Sequence, residues 1–463
     1  MGRRKEMSSR DPVFGWWDAP PFIGELIQSL SGRGRALFGL SSPPVQNRDL
    51  TGLAEMILSR RGEVSGAILA EAFLEAYRQA SAADRNVFMR ALLDRFGPDR
   101  TALDAATAAY SAERSAENIA RLHEAAEPRR QELFRRINFA KRGTATLVEM
   151  REHLMDMLSK EPALQPVDLD FCHLFSSWFN RGFLMLRSID WTTPANILEA
   201  LIRYEAVHDI DGWDDLRRRL APADRRCFGF FHPQLEDEPL IFVEVALTDH
   251  LPASVDALLA RDRQPLEVQQ ATTAVFYSIS NCQRGLAGIS LGNFLIKQVV
   301  NDLKRDLPRL DNFVTLSPIP GFGAWLRGES RVTDSEEIAQ EKQRLIARLE
   351  GDWASAGEHE LDQIQRAILP LGAHYLLNVR RGNGRPADPV ARFHLGNGAQ
   401  AERLNFLGDR SPKGMRQSYG LMVNYRYRLG EIEKNHEAYA ENGHIAATPA
   451  LRKLAQPVSQ EVF

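Results

Sequence analysis

Cysteine is scarce. Only Cys172, Cys227 and Cys282 occur in 463 residues, and no two form a CxxC pair. A zinc knuckle or a framework of intramolecular disulfides is therefore not expected. An excess of one charge is also lacking: 58 Lys and Arg against 61 Asp and Glu leave a net charge of −3. Nothing global draws such a chain to nucleic acid or to an anionic membrane surface. No apolar run approaches the ~20 residues that cross a bilayer. Arg3-Arg4-Lys5 is basic, but no apolar stretch follows, and Glu6 and Asp11 interrupt. The last residues, Glu461-Val462-Phe463, do not form a peroxisomal tripeptide. A soluble cytoplasmic protein is the expectation. HExxH is missing, and His208, His232, His250 and His374 stand at no ligand spacing, so no metal is expected. Asp209, Asp211, Asp214 and Asp215 lack the residue order and terminal glutamate of a calcium loop.

What is present suits a globular chain of two or more domains: 44% of residues are hydrophobic and 26% charged. Residues 1–48 read as a Pro-, Gly- and Arg-rich extension. Residues 49–183 read as helical almost throughout. Phe88, Leu92 and Phe96 recur at helical spacing before Gly97-Pro98, and Ser81 with Asp84 and Thr101 with Asp104 resemble capping boxes. Phe73, Tyr77, Phe134 and Phe139 read as core. From residue 184 to 455 the pattern turns to a mixed α/β sheet. Strands are expected at 240–248, 271–280, 312–316, 391–395 and 420–428, and helices at about 293–307, 334–350 and 360–377. The fold class is thus α+β: an all-helical domain, then a mixed-sheet domain. Arg217-Arg218-Arg219 and Arg225-Arg226, flanked by aspartates, read as a solvated helix face. The Arg380–Arg385 loop reads as a solvated turn.

The stretch 276–322 carries the most chemistry. It runs strand, glycine-bearing loop, amphipathic helix, strand, and the turn LSPIPGF. A parallel βαβ unit sets a loop rich in backbone N–H and the mouth of the second strand on one side of a sheet, where anionic ligands gather. The loop has no Walker A lysine and no clean GxGxxG, so spacing alone leaves a phosphate cradle and a tight strand-to-helix turn equally open.

The loop Cys282-Gln-Arg-Gly285-Leu-Ala287 resembles the pyrophosphate loop of Gcn5-related acetyltransferases, although its first position departs from that motif. The strings FYSIS (276–280), GLAGISLGNFLIK (285–297), LSPIPGF (316–322), FHLGNGA (393–399) and GLMVNYRY (420–427) together resemble the malonyl-CoA decarboxylase family. WFNRGFLMLRSIDW (178–191), YEAVH (204–208), RRCFGFFH (225–232) and PLIFVEVALT (239–248) match it in the same order. The resemblance spans roughly residues 50–430. It implies a helical, oligomer-building domain and a catalytic domain of acetyltransferase-like fold. It implies malonyl-CoA as substrate, acetyl-CoA as product, no cofactor, and a homo-oligomer, dimer or tetramer. It puts a catalytic pair on Ser317 and His394 and the malonyl-CoA contact segment on Ala287, Gly288, Ile289, Ser290, Leu291, Gly292 and Asn293. The glutamate that family members often carry in that segment is Ser290 here, so no carboxylate role is carried over. Cys172 or Cys227 could bridge two chains, as thiols do in some relatives, but a reducing cytoplasm argues against it.

Taken as an anonymous sequence, Ser317 is a turn residue and His394 a packed strand histidine; the resemblance gives them their roles. A histidine titrating near neutrality suits proton donation to carbon. Tyr425 and Tyr427 read as structural strand aromatics, Asn424 and Tyr419 as minor supports of the site. One arginine of the Arg380–Arg385 loop is a minor candidate for the CoA 3′-phosphate.

Overall fold

The computed structural model describes residues 49–59, 63–235, 237–289, 295–330, 334–382 and 384–456. The expected extension 1–48 lies outside them. One compact unit runs to Leu174 and a second begins at Phe175.

Described helices of the first unit include Leu50–Ser59, Glu63–Gln79, Ala82–Asp94, Arg129–Asn138 and Gly143–Leu158. Phe73, Tyr77, Phe88, Leu92, Phe96 and Phe134 are buried, as the helical spacing requires. Phe139 is 86% exposed, against expectation. It is the residue at which helix Arg129–Asn138 ends, so it no longer shares that helix's apolar stripe. Ser81 caps its helix by accepting from Asp84 N–H. The next cap is Asp99 rather than Thr101, because the Asp99 carboxylate already takes the N–H groups of Thr101 and Ala102. Two buried ion pairs, Arg130 with Asp170 and Arg151 with Asp168, lie within this unit.

The second unit is built on a mixed sheet of eight described strands. They are β1 (Met185–Ile189), β2 (Arg225–Phe231), β3 (Pro239–Thr248), β4 (Thr273–Asn281), β5 (Asn312–Thr315), β6 (Ser317–Pro318), β7 (Gln400–Asn405) and β8 (Met422–Arg426). Strands β1 to β4 pair antiparallel in sequence order. Strand β5 then runs parallel to β4, from Thr273 opposite Asn312 to Phe276 opposite Thr315. The crossover between them is the expected amphipathic helix, Leu295–Asp306, which buries Ile296, Val299, Val300 and Leu303. All ten residues of β3 are buried, so both its faces are covered. β5 and β6 form one strand broken at Leu316. Both pair antiparallel with β8, through Val314 opposite Arg426 and Ser317 opposite Val423, and β7 lies along the other edge of β8.

Three expectations are corrected here. Residues 391–395 are not a strand: Pro389–Gly396 is a helix. Asp388 caps it by accepting from Val390 and Ala391 N–H, and Pro389 at its first position has no N–H to lose. Strands β1, β2 and β7 were not read from the sequence. β1 buries only Ile189 and β7 is a polar edge strand, so neither shows an apolar rhythm. β2 opens on two arginines. The arginine runs are a solvated face only in part: Arg217 is exposed and Arg218 and Arg226 are half-buried, but one member of each run is buried. Arg219 and Arg225 are each 4% exposed. Arg219 donates to His208 and Asp209 carbonyls and pairs with Asp215 at 2.9 Å and Glu244 at 3.3 Å.

Two strings of the resemblance meet in this unit. Glu205 accepts from Ser278 Oγ at 2.7 Å and Ser280 Oγ at 3.2 Å, tying YEAVH to FYSIS. No helix among the described residues is long and apolar enough to cross a membrane.

Candidate active site

The ladder that β5 and β6 form with β8 is interrupted before Ser317 and resumes there in the same register. Thr315 and Ser317, two residues apart, then meet: Ser317 Oγ donates to Thr315 Oγ1 at 2.8 Å. His394, on helix Pro389–Gly396, sets Nε2 3.0 Å from Ser317 Oγ. Ser317 and His394 are both buried, at 5% and 3% exposure. The structure therefore brings together the two residues singled out from the sequence.

A third residue completes the arrangement. Tyr427 OH lies 2.9 Å from His394 Nδ1. Because the Ser317 hydroxyl proton is directed at Thr315, its oxygen is left to accept from His394 Nε2–H. Nδ1 then accepts from the Tyr427 hydroxyl. The other tyrosine, Tyr425, stacks its ring on the imidazole at 4.7 Å and 26°. Both tyrosines were read as structural. The available signal was their spacing, since residues two apart on a strand present the same face. Asn424 supports the break: its Nδ2 donates to the Thr315 carbonyl at 2.8 Å, and Tyr425 N–H donates to Thr315 Oγ1 at 3.1 Å. Tyr419 is in left-handed conformation at the end of helix Pro412–Ser418, and its side chain bonds to Arg327.

Electrostatics correct one expectation. Burial drives the His394 pKa down to about 3, because a cation in this pocket has no water to solvate it. The imidazole is thus neutral at physiological pH and is not a standing acid that titrates near 7. Burial likewise pushes the Tyr427 phenol far up, so it keeps its proton.

Of the expected substrate-contact segment, Ala287 ends a short helical turn and Ile289 is mostly buried. Gly288 between them has φ +78°, with open space where a Cβ would stand; conformation rather than crowding calls for glycine. Ser290, Leu291, Gly292 and Asn293 lie outside the described residues. Cys227 and Cys282 are buried and Cys172 is half-buried, so a bridge between chains through Cys227 has no surface thiol to use. Arg385, in the turn read as solvated, donates to the carbonyls of Tyr439 and Ala440, and Arg380 is half-buried. Among the described residues no three His, Cys, Asp or Glu side chains converge as a metal-holding group.

The chain is similar to known proteins over most of its length. Two family models match: "Malonyl-CoA decarboxylase N-terminal domain" over residues 96–179 and "Malonyl-CoA decarboxylase C-terminal domain" over residues 182–462. A curated relative from Anser anser anser, named "Malonyl-CoA decarboxylase, mitochondrial", is 33% identical over 504 residues, which cover 99% of this chain and 99% of that protein. The crystal structure of a malonyl-CoA decarboxylase from Rhodopseudomonas palustris is 58% identical, with TM-score 0.84, over 87% of this chain and 98% of its own. One from Agrobacterium vitis is 54% identical, with TM-score 0.82, over 88% of this chain and 100% of its own.

Proposed function

Because this chain belongs to the malonyl-CoA decarboxylase family, we propose that it converts malonyl-CoA to acetyl-CoA and CO2, with Ser317 and His394 at the reacting carbons. The observation that carries the assignment of residues is the 3.0 Å approach of Ser317 Oγ to His394 Nε2 in a buried pocket.

The chemistry asks three things of the protein. Breaking the bond from C2 to the carboxylate leaves an electron pair on C2. The thioester carbonyl takes it up as an enolate, so neither an organic cofactor nor a metal is needed as electron sink. The carboxylate must first stand out of the thioester plane, so that the breaking bond overlaps the carbonyl π system. Ser317 is suited to hold it there by redirecting its hydroxyl proton from Thr315 to a carboxylate oxygen. Donors must face the enolate oxygen; backbone N–H groups at the strand ends are the candidates. Finally C2 must take a proton. The neutral ring carries its proton on Nε2. One more proton from solvent makes the imidazolium, which gives Nε2–H to C2 and returns to neutral, while Nδ1–H is held by the oxygen of Tyr427, which keeps its own proton. An anionic substrate carboxylate beside the ring favours the imidazolium, and its departure as CO2 removes that support as the proton is needed. Acidity at His394 is thus tied to the presence of substrate.

The test is direct: purified protein given malonyl-CoA, with a chelator present, releases acetyl-CoA and CO2 in equal amounts. Absence of acetyl-CoA, or its appearance only when an amine acceptor is added, defeats the proposal. Tyr427→Phe removes the donor at Nδ1 while keeping the ring packed. It should lower kcat about 10-fold, the equivalent of one hydrogen bond to the imidazole, with KM nearly unchanged in steady-state assays. Self-association through the helical unit belongs to the same reading, supported by the exposed Val87, Ile119, Phe139 and Leu169.

A further inference from the structure

The turn bearing Ser317 and the helix bearing His394 come from distant parts of the chain, and one side chain bonds to both. Asp388 is fully buried. Its Oδ1 accepts from Val390 and Ala391 N–H, each at 2.9 Å, which caps the His394 helix. Its Oδ2 accepts from Gly321 N–H at 3.3 Å. Gly321 follows Ser317 by four residues, in a run stiffened by Pro318 and Pro320. The turn also has no slack at its far end. A Cβ on Gly321 would stand 2.2 Å from the Tyr375 hydroxyl, so the glycine is walled in by helix Glu358–Leu377.

We propose that Asp388 is a positioning residue: by holding Gly321 and the first turn of the His394 helix on one carboxylate, it sets the distance between Ser317 Oγ and His394 Nε2. The inference rests on the Ser317–His394 reading of the site.

A capping group alone would not suffice. Aspartate offers two acceptor oxygens, one for each segment. Asparagine offers one; if the cap takes it, the amide NH2 faces Gly321 N–H, donor against donor. The groups that face the carboxylate are Arg392 on its own helix, Tyr375 from helix Glu358–Leu377 and Tyr425 from β8. Burial pushes its pKa up to about 6, against the pull of three N–H bonds and Arg392. The joint therefore changes its bonding within an accessible pH range.

The experiment compares wild type with Asp388→Asn, a good capping residue. The variant should fold, keep its KM for malonyl-CoA within about 2-fold, and lose about 10- to 100-fold in kcat, the scale of a reacting group displaced by roughly 1 Å. The wild-type-to-variant ratio of kcat should be largest at pH 8 and shrink as pH falls through about 6, because the protonated wild-type carboxyl also has one oxygen committed as a donor. Taking the ratio cancels titration of the substrate. A variant that is merely less stable would not give a ratio that shrinks in acid. If the Asn variant fails to fold, Asp388→Ser keeps a capping oxygen, cannot reach Gly321, and should lower kcat by a similar factor. An unchanged kcat, or a ratio independent of pH, overturns the proposal. Ser317→Ala and His394→Asn are assayed alongside. Normal turnover in those two means that the Ser317–His394 reading has failed; inactivity in those two with a normal Asp388→Asn means that only the joint has failed.

Discussion

His394→Asn and Ser317→Ala should each lower the turnover of malonyl-CoA by at least ~10²-fold, the scale of a positioned acid–base group. Neither side chain is at the surface, and each has its partners fixed: Thr315 on one side of Ser317, Tyr427 on the far side of the imidazole. On the proposed mechanism both groups act on the reacting carbons, so the loss should fall on kcat, with KM moving only a few-fold. The double variant should be little worse than either single one, since the two act as a unit. The pH dependence is part of the expectation. With the His394 pKa near 3 in the free protein, kcat/KM should carry no limb from this histidine between pH 5 and 8, because kcat/KM reports the free enzyme. Near-normal rates in both single variants would remove the pair from the mechanism.

Arg219→Met should cost about 3–5 kcal/mol of stability at pH 9, the range for breaking a buried ion pair on one side. Methionine fills much of the same volume, so the loss is electrostatic rather than a cavity. The guanidinium holds the carbonyls of His208 and Asp209 and the carboxyl groups of Asp215 and Glu244, and of these His208 and Glu244 are buried. Glu244, fully buried, has its pKa raised to about 8, by burial first and then by the neighbouring Glu205. Its folded pKa therefore lies above the unfolded one, and its contribution to stability is complete below about 4.5 and lost as pH rises through about 8. In wild type the ionised carboxylate then has Arg219 beside it; in the variant it has no such partner. The cost of the substitution should be larger at pH 9 than at pH 6 in urea unfolding. A cost below about 1 kcal/mol at both pH values, the level of a surface pair, would show that the network contributes little.

Much of the architecture could be read from residue patterns. The helical spacing of Phe88, Leu92 and Phe96 and the apolar face of Leu295–Asp306 each report which side is dry, and both are buried as read. What escaped had a local reason. Strand β1 lacks alternation because it buries only Ile189, and β7 because its residues are mostly polar even though Ala401, Leu404 and Asn405 are buried. Residues 391–395 carry β-compatible side chains, but Asp388-Pro389 starts a helix, and that signal outweighs propensity. Arg219 looks solvated in a run of three arginines; only the fold reveals that Glu244, 25 residues on, needs it. Ser317 and His394 were legible through their strings, yet the acidity of His394 was not. A pKa depends on how much water the completed fold leaves at the ring, and that is not encoded in the neighbouring letters. Tyr427 was in plain view in GLMVNYRY. Its task depends on a histidine 33 residues away and could be assigned only from the contact.

The break at Leu316 has one more implication. Where the strand departs from its ladder, a threonine hydroxyl and an asparagine amide stand in for missing main-chain partners. The register is the same on both sides, so these two side chains patch a gap in the ladder without shifting it. The threonine oxygen that takes the Tyr425 N–H also takes the Ser317 hydroxyl. One atom thus serves as both a rung of the sheet and an anchor of the serine, and mending the rung with main chain alone would leave that anchor idle.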